Sequence, residues 1–292
     1  MKMRIMELKN RAEILSTPLP RREGQGGGSL RQGGESLTII KVGGAVVEDD
    51  QQLDRLLRDF VALEGRKILV HGGGRRATAI ASQLGIETQM VDGRRITDAP
   101  MLEVVTMVYG GLVNKTIVAR LQALGVDAIG LTGTDMDCIR SHRRPLRNGI
   151  DYGFVGDVDA VESSKIAHFI ETGATPVVAP LTHDGQGNLL NTNADTIASE
   201  VAKAMAAQGY AVTLVYCFEK AGVLAHADDE GSVISHITRD SFQQLVADGI
   251  ISGGMLPKIE NAIAATQAGV SRVLITHSTD LRGERGTVIV DS

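Results

Sequence analysis

The sequence is short of several features, and each shortage narrows what the chain can do. Its 292 residues contain two cysteines, Cys138 and Cys217. They share no short spacing of the kind that ligates a metal, so no protein metal ligands are assigned. Two thiols in so long a chain fit a reducing compartment, and a cytoplasmic location is expected. Cys217 closes an apolar run and reads as a buried structural thiol. No uninterrupted run of 18 apolar residues occurs, so no membrane-spanning helix is expected. A formal net charge of −5 provides no general basic field, which argues against nucleic acid as a partner. No solenoid-type repeat is visible.

What is present suits a folded α/β protein. Hydrophobic residues make up 43% of the chain, enough for one large domain or two lobes that share a sheet. The first 36 residues differ from the rest. Residues 1–16 could form a short basic amphipathic helix, followed by Pro18, Pro20 and a Gly/Arg/Gln-rich stretch to Glu35. That stretch has too few apolar side chains to offset its ordering entropy, and it lacks the apolar centre of a signal peptide. Residues 1–36 are expected to be a disordered leader, as an over-long start assignment would produce. A regulatory helix is the alternative.

From Leu37 onward, strand-like and helix-like patterns alternate. Leu37–Val42 and Lys67–His71 are β-branched and apolar, and each runs into glycines. Leu53, Leu56, Leu57, Phe60 and Val61 recur at helical spacing. A long helix is expected from Thr97-Asp98, interrupted by Gly110-Gly111 and ended by Gly125. Residues 137–160 read as an irregular hairpin, and Pro176–Leu181 as one strand. Further strands are expected at 127–131, 211–216, 272–276 and 287–290. Helices are expected at 194–208, near 240–248 and at 256–268. Strands apolar on both faces, alternating with helices, predict a mostly parallel sheet covered on both sides, with ligands beyond the strands' carboxyl ends.

Five segments could carry chemistry. Lys41-Val42-Gly43-Gly44 places an ammonium at the end of a buried strand, which is costly unless an anion awaits it. The two glycines let backbone N–H groups approach that anion. The segment is neither a Walker A loop nor a dinucleotide fingerprint, and a snorkelling lysine at a tight turn is the bland alternative. His71-Gly72-Gly73-Gly74 lies between a strand and a helix, where unpaired N–H groups and the helix dipole favour anions. His71 itself reads as a packed, hydrogen-bonded histidine. Gly93-Arg94-Arg95-Ile96-Thr97 offers guanidinium groups for a carboxylate, or simply a surface arginine pair. Asn191-Thr192-Asn193-Ala194-Asp195 crowds two amides and a carboxylate at a helix start, and capping explains only Asn193. Gly253-Gly254-Met255-Leu256-Pro257-Lys258 places a cation where the helix dipole opposes it, which suggests an anionic ligand.

In this order the segments resemble the acetylglutamate kinases of the amino acid kinase superfamily, over residues 37–292. The resemblance implies an αβα sandwich with a mostly parallel central sheet. Residues 37–190 would form a lobe for the acyl-amino acid and residues 191–292 a lobe for ATP. It implies that Lys41 and Lys258 stabilise the transferring phosphoryl group and that Asp195 positions both. Gly73, Gly74, Arg95 and Asn191 would bind the N-acyl-glutamate, and Gly43 and Gly44 would approach the phosphates. Mg²⁺ would accompany ATP. Where relatives carry an Asp-x-x-Gly turn, this chain has Tyr216-Cys-Phe-Glu-Lys-Ala-Gly222, so Glu219 stands in on the nucleotide side. The short C-terminus and unusual leader imply an arginine-insensitive homodimer. Some relatives with this Cys-Phe-Glu-Lys run use N-succinyl intermediates, and the arginines at 140–147 could meet an additional carboxylate. The remaining alternatives are a non-catalytic amino-acid or nucleotide sensor on the same fold, or a kinase for uridylate, carbamate, aspartate or glutamate.

Overall fold

The structure is a computed structural model that describes residues 34–91, 94–226 and 228–291. The expected leader therefore lies, through residue 33, outside the described residues. Its last positions belong to the fold. Ser36 begins the first strand, and Glu35 pairs with Arg66 at 2.9 Å.

The elements follow in the order β1 (Ser36–Val42), α1 (Gly44–Glu48), α2 (Asp50–Val61), β2 (Arg66–His71) and α3 (Gly74–Gln83). A short hairpin, β3 (Met90–Val91) and β4 (Arg94–Arg95), leads to the long helix α4 (Ala99–Ala123). Next come β5 (Ala128–Leu131), β6 (Ile139–Arg143), β7 (Gly156–Val161), α5 (Ser163–Glu171), β8 (Thr175–Val178), β9 (Leu181–His183) and β10 (Leu189–Asn191). The chain ends with α6 (Ala194–Ala207), β11 (Ala211–Phe218), β12 (His236–Ile237), α7 (Arg239–Ala247), α8 (Leu256–Gln267), β13 (Arg272–His277) and β14 (Thr287–Ile289).

Eight strands form one sheet in the order β12-β14-β13-β11-β1-β2-β8-β5, parallel except where β13 meets β14. Strand residues alternate between faces, and the alternation sorts the core into two. Leu37, Ile39, Ile68, Val70, Val212, Leu214 and Tyr216 join one cluster, which packs against α5, α6 and α8. Ile40, Val42, Leu69, Val215 and Cys217 join the other, against α2, α3 and α4. This is the expected sandwich of helices on both faces of a mostly parallel sheet. A second sheet, β10-β9-β6-β7, carries the antiparallel hairpin expected at 137–160.

Two expectations need correction. Gly110-Gly111 does not interrupt the long helix. Thr106–Val113 widens into a π-helical stretch and α4 continues to Ala123. The missing side chain at Gly110 has a packing use, since a Cβ there would lie 3.3 Å from Leu181 Cδ1. This helix is also long and apolar enough, by length and composition, to cross a membrane, which a search for unbroken apolar runs misses. Its Met101, Val104, Val105, Val108, Ile117 and Leu121 are buried in the protein's own core. The second correction concerns Pro176–Leu181, which is not one strand. Thr175–Val178 stays in the large sheet, Ala179 donates its N–H to the Leu131 carbonyl, and Leu181 starts β9 of the second sheet. Pro180, which has no N–H to give a ladder, sits where the chain changes sheets.

Candidate active site

The site lies at the carboxyl ends of β1, β2 and β11, where two glycine turns meet. Gly72 donates its N–H to the Val42 carbonyl at 3.1 Å, tying the end of β1 to the turn after β2. A Cβ on Gly44 would lie 3.7 Å from Gly74 N and 3.8 Å from Gly73 N, so the two backbones are in contact. Helix α3 starts at Gly74 with no side chain capping it. Its first-turn N–H groups have no intrahelical acceptor, which makes this end receptive to an anion. Gly73 is glycine for a steric reason, since a Cβ there would lie 3.0 Å from the Tyr109 ring.

Strand parity explains the charged cluster beside these turns. Lys41 alternates with Ile39 and so projects to the face covered by α6 and α8. Tyr216 is its register partner on β11, and Phe218 lies two residues further along the same face. The Lys41 ammonium lies 2.7 Å from Asp195 Oδ1, and both side chains are largely buried. That oxygen accepts no aligned hydrogen bond, so the ammonium alone compensates it. Asp195 is placed by the start of α6, where Asn193 Oδ1 accepts the N–H groups of Asp195 at 2.8 Å and Thr196 at 3.1 Å. Lys258, in the first turn of α8, reaches the same place: its Nζ lies 3.9 Å from the Phe218 ring centroid, and Lys41 Nζ lies 5.5 Å from it. Burial pushes the Lys258 ammonium below the ordinary lysine range; Asp195 opposes that shift, and Lys41 adds to it. Two ammonium groups from distant segments thus share one ring, and Asp195 pairs with Lys41 while acting on Lys258 only through its field.

Next to this cluster lies a cavity of about 190 Å³, lined by Gly72, Gly73, Gly74, Arg94, Arg95, Arg144, Asn191 and Ala194 among others. Arg95 is held there by hydrogen bonds from Nη2 to the Gly74 carbonyl and Thr78 Oγ1, each 2.8 Å. Asn191 Nδ2 donates to Thr97 Oγ1 at 2.9 Å. The segment after the 140s loop binds both walls together. Phe154 donates its N–H to the Thr97 carbonyl and accepts the N–H of Asn191. Burial, with Arg144 nearby, pushes the Arg94 guanidinium below its usual range, and Asp157 partly offsets this. Three guanidinium groups therefore converge on one small cavity, which suits a ligand with more than one carboxylate.

His71 is not at the reacting centre. It is fully buried on the opposite face of the sheet, toward α4. Its Nδ1 lies 2.9 Å from the Gly72 carbonyl and its Nε2 lies 3.2 Å from Asn114 Nδ2, while that amide also donates to the Val177 carbonyl. These partners suit a neutral imidazole with its proton on Nδ1, and burial lowers its pKa to about 4.

Residues 36–277 match the family model described as the amino acid kinase family. This chain belongs to the amino acid kinase family. Over 255 residues it is 62% identical to the acetylglutamate kinase of Bacteroides thetaiotaomicron, covering 87% of this chain and 98% of that protein. It is 60% identical over 255 residues to the acetylglutamate kinase of Bacteroides fragilis, covering 87% of this chain and 97% of that protein. In three dimensions it resembles the N-acetylglutamate synthase of Neisseria gonorrhoeae, with a TM-score of 0.76 at 20% identity, over 90% of this chain and 61% of that one. That last likeness is one of fold.

Within this amino acid kinase, the sequence motifs land together. Lys41, Asp195 and Lys258 form the cluster, while Gly73, Gly74, Arg95 and Asn191 line the cavity. Gly43 and Gly44 form the turn between them, and Gly93 lies outside the described residues. Glu219 is exposed and pairs with Arg75 at 3.1 Å. Of the arginines at 140–147, only Arg144 lines the cavity, and it is paired with Asp157, as Arg140 is with Asp137 and Arg143 with Asp151. Tyr109, which lines the cavity, and Phe218, beside the two ammonium groups, are residues that the motifs did not single out. Parity with Lys41 across the β1–β11 register could have pointed to Phe218. Among the described residues, no group of three or more His, Cys, Asp or Glu side chains is placed to hold a metal. With Asp195 committed to Lys41, the donor set does not form a magnesium site. A magnesium ion here would be carried by the nucleotide's own phosphates.

Proposed function

We propose that this amino acid kinase transfers the γ-phosphoryl group of ATP to the side-chain carboxylate of an N-acyl-L-glutamate, N-acetyl-L-glutamate in the first instance, as a step of arginine biosynthesis. The observation that carries this reading is the meeting of Lys41, Asp195 and Lys258 beside the glycine turns that line an arginine-rich cavity, together with relatives at about 60% identity that are acetylglutamate kinases.

In this reading Arg95 and Asn191 hold the acyl-amino acid with its side-chain carboxylate toward the glycine turns. A carboxylate is already ionised near neutral pH, so no general base is needed. One carboxylate oxygen forms a bond to the γ-phosphorus as the bond from that phosphorus to the β,γ-bridging oxygen breaks. An acyl phosphate and ADP result. Both reactants are anions, so catalysis is mainly positioning and charge neutralisation. Lys41 and Lys258 supply the positive charge, Asp195 keeps the two ammonium groups in place, and the Gly43-Gly44 and Gly73-Gly74 N–H groups face the phosphates and the carboxylate. Mg²⁺ enters as the nucleotide's complex. Residues up to about 190, with the start of α6, form the acyl-amino-acid side, and the later part, with Glu219 and Lys258, forms the nucleotide side.

One observation favours a longer acyl group. Arg94 and Arg144, the latter paired with Asp157, line the cavity in addition to Arg95, and an N-acetyl group offers no second carboxylate to them. N-succinyl-L-glutamate, whose acyl chain ends in another carboxylate, would use them. The cytoplasm suits the two buried free thiols, Cys138 and Cys217. A homodimer through the outer side of α4 would cover exposed Met107 and Leu112.

The test is an ADP-release assay with N-acetyl-L-glutamate, N-succinyl-L-glutamate, glutamate, aspartate, carbamate and uridylate. N-acyl-glutamates are expected to be strongly preferred. Lys41→Ala and Lys258→Ala should each lose about 10²–10³ in kcat, the scale of one preorganised electrostatic donor. ATP binding without turnover on any acceptor would favour a sensor instead.

A further inference from the structure

We propose that Phe218 is a positioning residue for phosphoryl transfer, its ring face holding the Lys258 ammonium beside that of Lys41. The proposal rests on the kinase reading above and extends it to a residue outside the five motifs.

Lys258 Nζ lies 3.9 Å from the ring centroid and Lys41 Nζ lies 5.5 Å from it. Both are within the roughly 6 Å over which a ring quadrupole attracts a cation. The ring is held from behind by Tyr216, which is fully buried and stacks on it nearly parallel, at 6.3 Å and 11° between planes. Its backbone is fixed on the other side, where the Ser278 N–H donates to the Phe218 carbonyl at 3.2 Å and β13 pairs with β11 as far as His277. The chain has no tryptophan and only five phenylalanines, yet one of these lies under two lysines.

The electrostatics explain why a ring is useful here. Asp195 is engaged by Lys41 at 2.7 Å, and among the described residues no carboxylate lies within ion-pair distance of Lys258. The charged groups facing Lys258 are Asp195 and Glu219, which favour its ionised form, and Lys41, which opposes it. Burial opposes it most, and the amino end of α8 adds the positive end of a helix dipole. The π face is attractive without carrying a charge. A second carboxylate in its place would hold the ammonium by an ion pair that an incoming phosphate must break. A ring contact is weaker, so Lys258 is pre-placed yet transfers readily to the phosphate.

The experiment replaces Phe218 with 4-fluoro-, 3,5-difluoro- and 3,4,5-trifluorophenylalanine. Ring shape changes little along this series while the face becomes steadily less negative. Log kcat/KM is expected to fall stepwise, by tenfold or more at the trifluoro ring, and the alkaline limb of the pH profile should move to lower pH. Phe218→Tyr should retain activity and Phe218→Leu should lose it. In parallel, the Lys258 ammonium is titrated by NMR in the nucleotide-free protein, its signal assigned by loss in Lys258→Arg, and its pKa should fall along the same series. An active enzyme whose kcat/KM and Lys258 pKa are both flat across the series overturns the proposal. If the unsubstituted protein phosphorylates no N-acyl-glutamate, the kinase reading fails, and the NMR series still decides whether the ring holds the ammonium.

Discussion

Lys41 and Asp195 are 2.7 Å apart, one at the end of the central strand β1 and the other in the first turn of α6. Their contact joins the sheet to the helix that covers it, and it places a largely buried carboxylate beside the Lys41 ammonium, where it also acts on that of Lys258. Asp195→Asn is expected to lower kcat by about 10²–10³. Stability should fall too, because removing one member of a buried pair costs about 3–5 kcal/mol when the other stays charged. The double change Lys41→Met with Asp195→Leu removes both charges and should recover much of that stability without recovering activity. Steady-state kinetics and urea denaturation on the three proteins separate the two effects.

The acyl preference should follow the arginines of the cavity. Arg144→Gln is expected to reduce the ratio of kcat/KM for N-succinyl- over N-acetyl-L-glutamate by about 10- to 100-fold, the worth of roughly 1.5–3 kcal/mol for a hydrogen bond to a charged group. Arg94→Gln should act in the same direction. Arg140→Gln, at a side chain paired with Asp137 outside the cavity lining, should leave the ratio unchanged. An unchanged ratio for all three would leave N-acetyl-L-glutamate as the better-supported acceptor.

Acid should destabilise the protein through His71. Its pKa is about 4 in the fold, against 6.5 for the free side chain, because burial disfavours the imidazolium. Between those values the unfolded chain binds the extra proton, so stability is fully present above pH 6.5 and is lost as pH falls toward 4. The contribution is of the order of 3 kcal/mol, at 1.36 kcal/mol per pKa unit. Chemical denaturation across that window should show the slope, and His71→Gln should flatten it.

Gly73→Ala tests the steric basis of the second glycine turn. The added methyl would meet the Tyr109 ring at 3.0 Å and 3.2 Å and Val113 Cγ2 at 3.4 Å. Overpacking of this kind costs about 1–3 kcal/mol. Since Tyr109 and Gly73 both line the cavity, KM for the acyl-amino acid is expected to rise more than KM for ATP. Gly111→Ala on α4, where nothing lies within 4 Å of the added methyl, is the control and should leave both KM values unchanged.

Read alone, the sequence determined the layered α/β architecture, because strand and helix periodicities and the glycine and asparagine caps are local properties of the chain. Gly73 and Asn193 mark helix starts that the structure retains. It also determined which residues were costly to bury without a purpose, Lys41 above all. Tertiary structure decided the rest. α4 continues through Gly110-Gly111, and Gly110 packs closely against Leu181 from the second sheet. The split at Pro180 depends on which sheet each half can pair with. The choice of Arg94 and Arg144 over Arg140 and Arg143 depends on which side chains face the cavity. The meeting of Lys258 with Phe218 depends on β11 lying beside β1 and on α8 covering their shared face. These are contacts between residues far apart in the chain, and no local pattern encodes a distance of that kind.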